Sequence, residues 1–147
     1  LNSEVIYTRD LTVIDWHQLK ADLSRDRFDN GRTPEQLQRS FENSRSCCFA
    51  CIDGRVVGKA RVLSDGVCNA YVVDVWTSSA YRRRGIATTM MERLLEELPG
   101  QHVYLQADDD VVEFYEKLGF APQPHGLSRV VGHWLQYRDA VAADGAQ

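Results

Sequence analysis

Two periods of apolar and polar positions alternate along the chain, and each change of period marks a new element. Between residues 85 and 99 the apolar side chains fall at Ala87, Met90, Met91, Leu94, Leu95 and Leu98, an i, i+3, i+4 stripe that predicts a helix stopped by Pro99-Gly100. Residues 47–52, 55–63 and 69–77 are apolar runs of strand length separated by Asp53-Gly54 and Asp65-Gly66, so they read as antiparallel strands joined by tight turns. Residues 102–107 read as a further strand, parallel to 69–77 because a helix intervenes, and 130–137 as a last one.

Upstream, residues 4–7 form a short strand candidate. Thr12 with Asp15 suggests an N-cap for a helix carrying Trp16, Leu19 and Leu23. Residues 25–32 are polar and contain Asn30-Gly31, which predicts a loop. Thr33-Pro34-Glu35-Gln36 joins an N-cap, a proline at the first helical position and a capping-box glutamine ahead of Leu37 and Phe41. Asp110 with Glu113 suggests a second capping box, for a helix ending at Leu118-Gly119.

Composition narrows the class. With 147 residues, 44% of them apolar and 26% charged, the chain reads as one folded domain over 1–138 and a flexible tail over 139–147. No repeat or low-complexity tract interrupts it. It has no apolar run of membrane length and no leader pattern, so a cytoplasmic protein without membrane contact is expected. Leu1 in place of an initiator Met leaves open an organelle and a removed transit segment. A net charge of -4 excludes a general nucleic-acid binder, which needs a basic surface.

Cys47, Cys48 and Cys51 contain a C-x-x-C spacing that can signal zinc or redox chemistry. A zinc site lacks its second ligand pair, since only Cys68 and four scattered histidines remain. The three cysteines lie in an apolar run that ends at a turn, and we read them as buried strand residues, with no metal expected.

The basic run Arg82-Arg83-Arg84 falls where a strand meets the amphipathic helix. Gly85 and Ala87 let backbone N–H groups there approach a ligand, and the helix dipole favours an anion. Taken alone, this stretch is either a phosphate site or an ordinary turn with solvated arginines. Neither G-x-x-x-x-G-K-[ST] nor G-x-G-x-x-G is present.

Arg82, Gly85 and Ala87 do spell R-x-x-G-x-A, and Phe114-Tyr115-Glu116-Lys117-Leu118-Gly119-Phe120 follows. This pair of motifs resembles the [QR]-x-x-G-x-[GA] and F-Y-x-K-x-G-F hallmarks of the Gcn5-related N-acetyltransferases over residues 45–122. Asp65-Gly66-Val67-Cys68-Asn69-Ala70 and Met91-Glu92-Arg93-Leu94 add a narrower likeness to plant plastid serotonin N-acetyltransferase-like proteins and bacterial relatives. The resemblance implies an α/β fold with a twisted mixed sheet, mostly antiparallel, whose splayed parallel strand pair holds acetyl-CoA, the acetyl donor for a primary amine. It also implies that the backbone at Val75, Trp76 and Thr77 meets the pantetheine arm. Residues Arg82, Arg83, Arg84, Gly85, Ile86, Ala87 and Thr88 would hold the pyrophosphate, and Tyr115 would lie near the sulfur and protonate the leaving thiolate. Three positions depart from the family pattern: Ser79 stands for a frequent proline, Ala87 for the commoner glycine, and Asp108 for a cofactor-contacting asparagine. As an acceptor only, Asp108 weakens the contact expected there.

Amine acetylation requires an ammonium to lose its proton. Asp74, acidic within an apolar strand, is either the base, its pKa raised by burial, or an anchor hydrogen-bonded to its surroundings. Tyr115 is either the acid or a packed aromatic. An acetyl-Cys68 intermediate is disfavoured by the lack of a Cys-His pair, and His125 is the one histidine expected near the slot. Trp16 and Phe28 could line an aromatic amine pocket and Asp26 or Asp29 attract an ammonium, against a core tryptophan and a solvated loop. The reading is an amine N-acetyltransferase using direct transfer, with a small arylalkylamine ahead of protein lysine and homodimerisation left open. The alternative is a non-catalytic acyl-CoA-binding sensor or protein-interaction module.

Overall fold

Local capping chemistry sets the helix starts. The computed structural model describes residues 3–135. In it, helix α1 (Trp16–Arg25) begins at Asp15, whose carboxylate accepts the Gln18 N–H at 3.0 Å. Thr12 is not the cap the spacing suggested, because Asp10 takes both its N–H and its hydroxyl within the turn Leu11–Val13. Helix α2 (Pro34–Glu42) has the expected capping box, with Thr33 and Gln36 each bonding the other's backbone.

Strands β1 (Ile6–Thr8), β2 (Ser46–Ile52), β3 (Arg55–Ser64), β4 (Asn69–Thr77) and β5 (His102–Tyr104) form one sheet in that order. The first four are antiparallel, and β5 runs parallel to β4 after the crossover helix α3 (Ile86–Leu95). Asp53 and Gly54, at φ 50° and 79°, make the β2–β3 turn. Asp65 organises the β3–β4 turn by accepting the N–H groups of Val67, Cys68 and Asn69.

Helices cover both faces of the sheet. Met90, Met91 and Leu94 of α3 pack on Cys48, Ala50, Ala60 and Val62 on one face. Leu19, Leu23, Leu37 and Phe41 of α1 and α2 pack on Cys47, Phe49 and Trp76 on the other. With both faces buried, β2 is apolar from Cys47 to Ile52, and its cysteines are core residues whose Cys47 and Cys48 thiols burial pushes up to about 11. Gly58 brings β3 against α3: a Cβ there would stand 3.0 Å from Ile86 Cγ2 and 3.1 Å from Met90 Cε.

Two departures from the sequence reading shape the centre of the molecule. Lys59 pairs with Trp76 but Arg61 with Val73, so Asp74 and Val75 oppose Ala60 alone in a β-bulge. The expected strand over 102–107 stops at Tyr104: it pairs with β4 at residues 69–71 only, and the two chains separate beyond. Helix α4 (Val112–Lys117) then starts without a side-chain cap, after a turn at Asp109–Val111, so the Asp110–Glu113 box is not formed. Gly119 ends it at φ 95° as expected. Residues 130–134 are irregular and exposed or nearly so, which corrects the predicted last strand. Its end and the expected tail lie outside the described residues.

Candidate active site

The separation of β4 from β5 opens a slot of about 690 Å³, within the range of small-ligand sites. The β4 bulge forms one wall, Leu105 to Asp108 the other, and the loop from Tyr81 into α3 one end. Asp74 sits at φ 61°, a left-handed conformation uncommon for a non-glycine residue, and with Val75 it has no register partner on β3.

At the loop end Gly85 is the N-cap of α3, at φ 76°, and offers no side chain to the first-turn amides. Those N–H groups and the positive end of a 10-residue helix face a cavity that Arg82 and Arg83 also line. Thr77 Oγ1 is buried there with no hydrogen-bond partner among the described residues. Free amides, guanidinium groups and an orphaned hydroxyl together fit a phosphate-bearing ligand with polar groups along its arm.

Of the residues singled out from sequence, Asp74, Val75, Trp76, Thr77, Arg82, Arg83, Gly85, Ile86, Ala87, Thr88, Asp108 and Tyr115 all line this cavity. Arg84 does not, and its guanidinium stacks 5.2 Å over the Tyr81 ring. Tyr115 is packed edge-on against Phe114 and Phe120, at centroid distances of 4.9 and 5.9 Å. Burial, helped by the Asp108 charge, raises its phenol pKa, so the hydroxyl stays protonated at neutral pH.

Asp74 differs from the basic carboxylate that burial alone would make. Arg32 grips it with both nitrogens, at 2.8 and 3.0 Å, and Arg61 Nε donates to it as well. Lys59 Nζ lies 3.5 Å from its carboxylate and donates to its backbone carbonyl at 3.3 Å. Burial acts to raise its pKa, but the Lys59 charge, the Arg32 hydrogen bonds and charge, and Arg61 outweigh it and hold the carboxyl well below the usual range. The expected upward shift is therefore reversed. Burial in turn pushes the fully enclosed Lys59 ammonium down to about 7, with Arg32 and Arg61 adding to the effect and Asp74 opposing it.

Sequence reading missed these three cations. The available signal was Lys59 and Arg61 inside the apolar β3 run, which is as costly without a partner as Asp74 inside β4. The loop acids are also engaged. Asp26 accepts from Trp76 Nε1, Ser79 N and Ser79 Oγ, while Asp29 is paired with Lys20 and accepts from Ser24. Trp16 packs with Phe41 and Phe49 in the core, whereas Phe28 lines the slot. His125 and Cys68 lie outside it, and the Asp65 carboxylate beside Cys68 raises its thiol pKa, against a nucleophilic role.

The model of the acetyltransferase (GNAT) family matches residues 12–120, a span that takes in the bulge, the loop and Tyr115. The chain belongs to the GNAT family. It is 36% identical over 103 residues to serotonin N-acetyltransferase 2, chloroplastic, of rice, a match covering 65% of this chain and 52% of that protein. It is 37% identical over 76 residues to a histone acetyltransferase of Glycine max, covering 50% and 33%. The chain thus spans about half the length of the first and a third of the second. Among solved structures, a protein of Xanthomonas campestris pv. campestris assigned to the same family superposes with a TM-score of 0.76 at 27% identity, over 87% of this chain and 94% of that one. Among the described residues no helix is long and apolar enough to cross a membrane.

Proposed function

We propose that this GNAT domain transfers an acetyl group from acetyl-CoA directly to a primary amine, most readily a small arylalkylamine. The observation that carries the reading is one cavity lined by the uncapped α3 N-terminus, the β4 bulge and Tyr115. Acetyl-CoA supplies an activated thioester. Arg82, Arg83 and residues 85–88 hold its phosphates, and the backbone at Val75 to Thr77 aligns its arm. Tyr115, protonated and beside the cavity, gives its proton to the departing thiolate.

Asp74 takes the anchoring role in this scheme. An ionised carboxylate satisfied by three cations gains little from a fourth partner, so it fixes the bulge and leaves deprotonation of the amine to solvent in the open slot. Serotonin acetylation in the name of the rice relative supports the small-amine choice, and its chloroplast supports the organelle alternative. The histone named for the soybean relative makes a lysine peptide the natural competitor.

A panel of amines assayed for free CoA thiol tests the proposal. Phenylethylamine and tryptamine should be acetylated ahead of lysine peptides, and Tyr115→Phe should lower kcat about 100-fold with acetyl-CoA affinity unchanged. A peptide preference would overturn the acceptor, and a blank panel despite tight CoA binding would favour the non-catalytic module.

A further inference from the structure

A carboxylate from outside the arginine loop holds the point where that loop leaves the sheet. Asp26 is the C-cap of α1, where the helix dipole presents partial negative charge and an acid is unfavourable. Its two oxygens bond the end of β4 and the turn after it. One accepts Trp76 Nε1 at 3.1 Å and Ser79 N at 3.0 Å, and the other accepts Ser79 Oγ at 3.0 Å. Trp76 is buried, so its indole N–H needs an acceptor, and one oxygen suffices for that. Ser79 is exposed, and water would satisfy both of its donors, so its double bond to Asp26 calls for another reason. Burial acts to raise the Asp26 pKa, but the hydrogen bonds from Ser79 and Trp76 and the Arg82 charge outweigh it and keep the carboxyl ionised at neutral pH.

Ser79 opens the short turn Ser79–Tyr81, and Arg82, Arg83 and Gly85, which line the slot, come directly after it. Next to Ser79, Ser78 N donates to the Val57 carbonyl at 2.7 Å, and Tyr81 N closes the turn on the Ser78 carbonyl at 2.8 Å. Arg82 Nε reaches back to the Thr77 carbonyl at 3.4 Å. With Asp26 on Ser79, the loop is tied to β3 and to the end of α1 at its head, and its course into α3 follows from there. A loop already in its bound shape has less entropy to lose when a ligand arrives.

Resting on the acetyl-CoA reading, we propose that Asp26 is a positioning residue for the cofactor: it lies outside the slot, and by clasping Ser79 it holds the arginine loop in the shape that receives the phosphates. The clasp has a conformational substitute. Ser79 is the first residue of its turn, a place that suits the fixed φ of proline, and its N–H serves Asp26. Ser78 lies at φ -50° and ψ 137°, the extended region that a following proline requires. Ser79→Pro would therefore stiffen the same turn with no help from the carboxylate.

Calorimetric binding of acetyl-CoA, which needs no acceptor amine, is the deciding measurement. Asp26→Ala should weaken acetyl-CoA about tenfold and raise its KM by a similar factor, with kcat for phenylethylamine within about twofold, the pattern of lost uniform binding. Asp26→Asn keeps one acceptor oxygen and should fall between. In the Asp26→Ala background, Ser79→Pro should return the affinity to within about threefold of the unaltered protein, a rescue that a general loss of stability would not allow. Where Asp26→Ala fails to fold, Asp26→Asn with and without Ser79→Pro carries the same comparison. A folded Asp26→Ala protein that binds acetyl-CoA as tightly as the unaltered one would overturn the proposal. A loss that Ser79→Pro leaves unrestored would reduce Asp26 to a structural acceptor for Trp76 and overturn it as well. An unaltered protein with no affinity for acetyl-CoA would instead overturn the cofactor reading itself, and with it any role for Asp26 toward that ligand.

Discussion

At the scale of single residues, the Asp74 cluster bears on two chemistries that sequence left equal. An acid in an apolar strand implies a partner or a task, and the side chains that distinguish these lie far apart in sequence at Arg32, Lys59 and Arg61. Only the paired strands and the α1–α2 loop bring them together, so no local pattern could have shown that burial loses to three cations. Lys59 bears the cost, because burial lowers its pKa to about 7, within a usable range. In the unfolded chain it titrates near the ordinary value of about 10.4. The folded state thus binds fewer protons between the two values, and stability contributed here rises with pH through that window and is lost as pH falls to about 7. From pH about 7 to 8, below the ordinary cysteine value of about 8.5, the thiols stay mostly protonated in either state, so Lys59 should dominate the slope. Denaturant titrations should show stability increasing by about 1 kcal/mol over that span, and Lys59→Met should flatten the rise without loss at pH 7. An unchanged slope in that variant would mean that Lys59 is not the titrating group.

At the scale of elements, what was legible was local. The Thr33 capping box, the α3 stripe, the Asp53-Gly54 turn and the turn at Gly85 into α3 each carry their cause within a few residues, and each is present in the fold. The bulge and the early end of β5 were not legible, because register is set by pairing across the sheet and the slot by where that pairing stops. The motif located the loop at the head of α3, and the non-local bulge forms a wall of the cavity it lines. Gly85 joins the two, since its conformation turns the chain and its missing side chain leaves the amides open. Gly85→Glu meets no atom within 4 Å of its Cβ, so the fold should survive with about 1–2 kcal/mol of backbone strain. Its carboxylate among phosphate-directed amides should weaken acetyl-CoA at least tenfold, or about 1.4 kcal/mol. Gly85→Ala carries the same strain without the charge and should lose less affinity. Calorimetry finding the two variants equal would assign the loss to backbone distortion and not to the anion site.

For the whole molecule, helices on both faces of one sheet confine small ligands to the place where the sheet comes apart, and each face presents a different surface to it. The arginine loop gives the α3 face a local positive charge on a chain whose net charge is -4. Arg82, Arg83 and Arg84 are exposed, so they act through solvent on an approaching anion and are screened by salt. Association of acetyl-CoA should therefore slow as ionic strength rises from about 0.05 M to 0.5 M, where the screening length falls well below 10 Å. The geometry also predicts which arginines matter. Arg82 and Arg83 line the slot, whereas Arg84 is stacked on Tyr81 outside it. Replacing Arg82 and Arg83 together by Gln should lower the association rate at low salt and remove most of its salt dependence, while Arg84→Gln should retain the larger part of both. Stopped-flow rates over that salt range separate the two cases. A slope as steep in the double variant as in the unaltered protein would show that the arginine run is a solvated turn, and that the helix amides hold the phosphates without it.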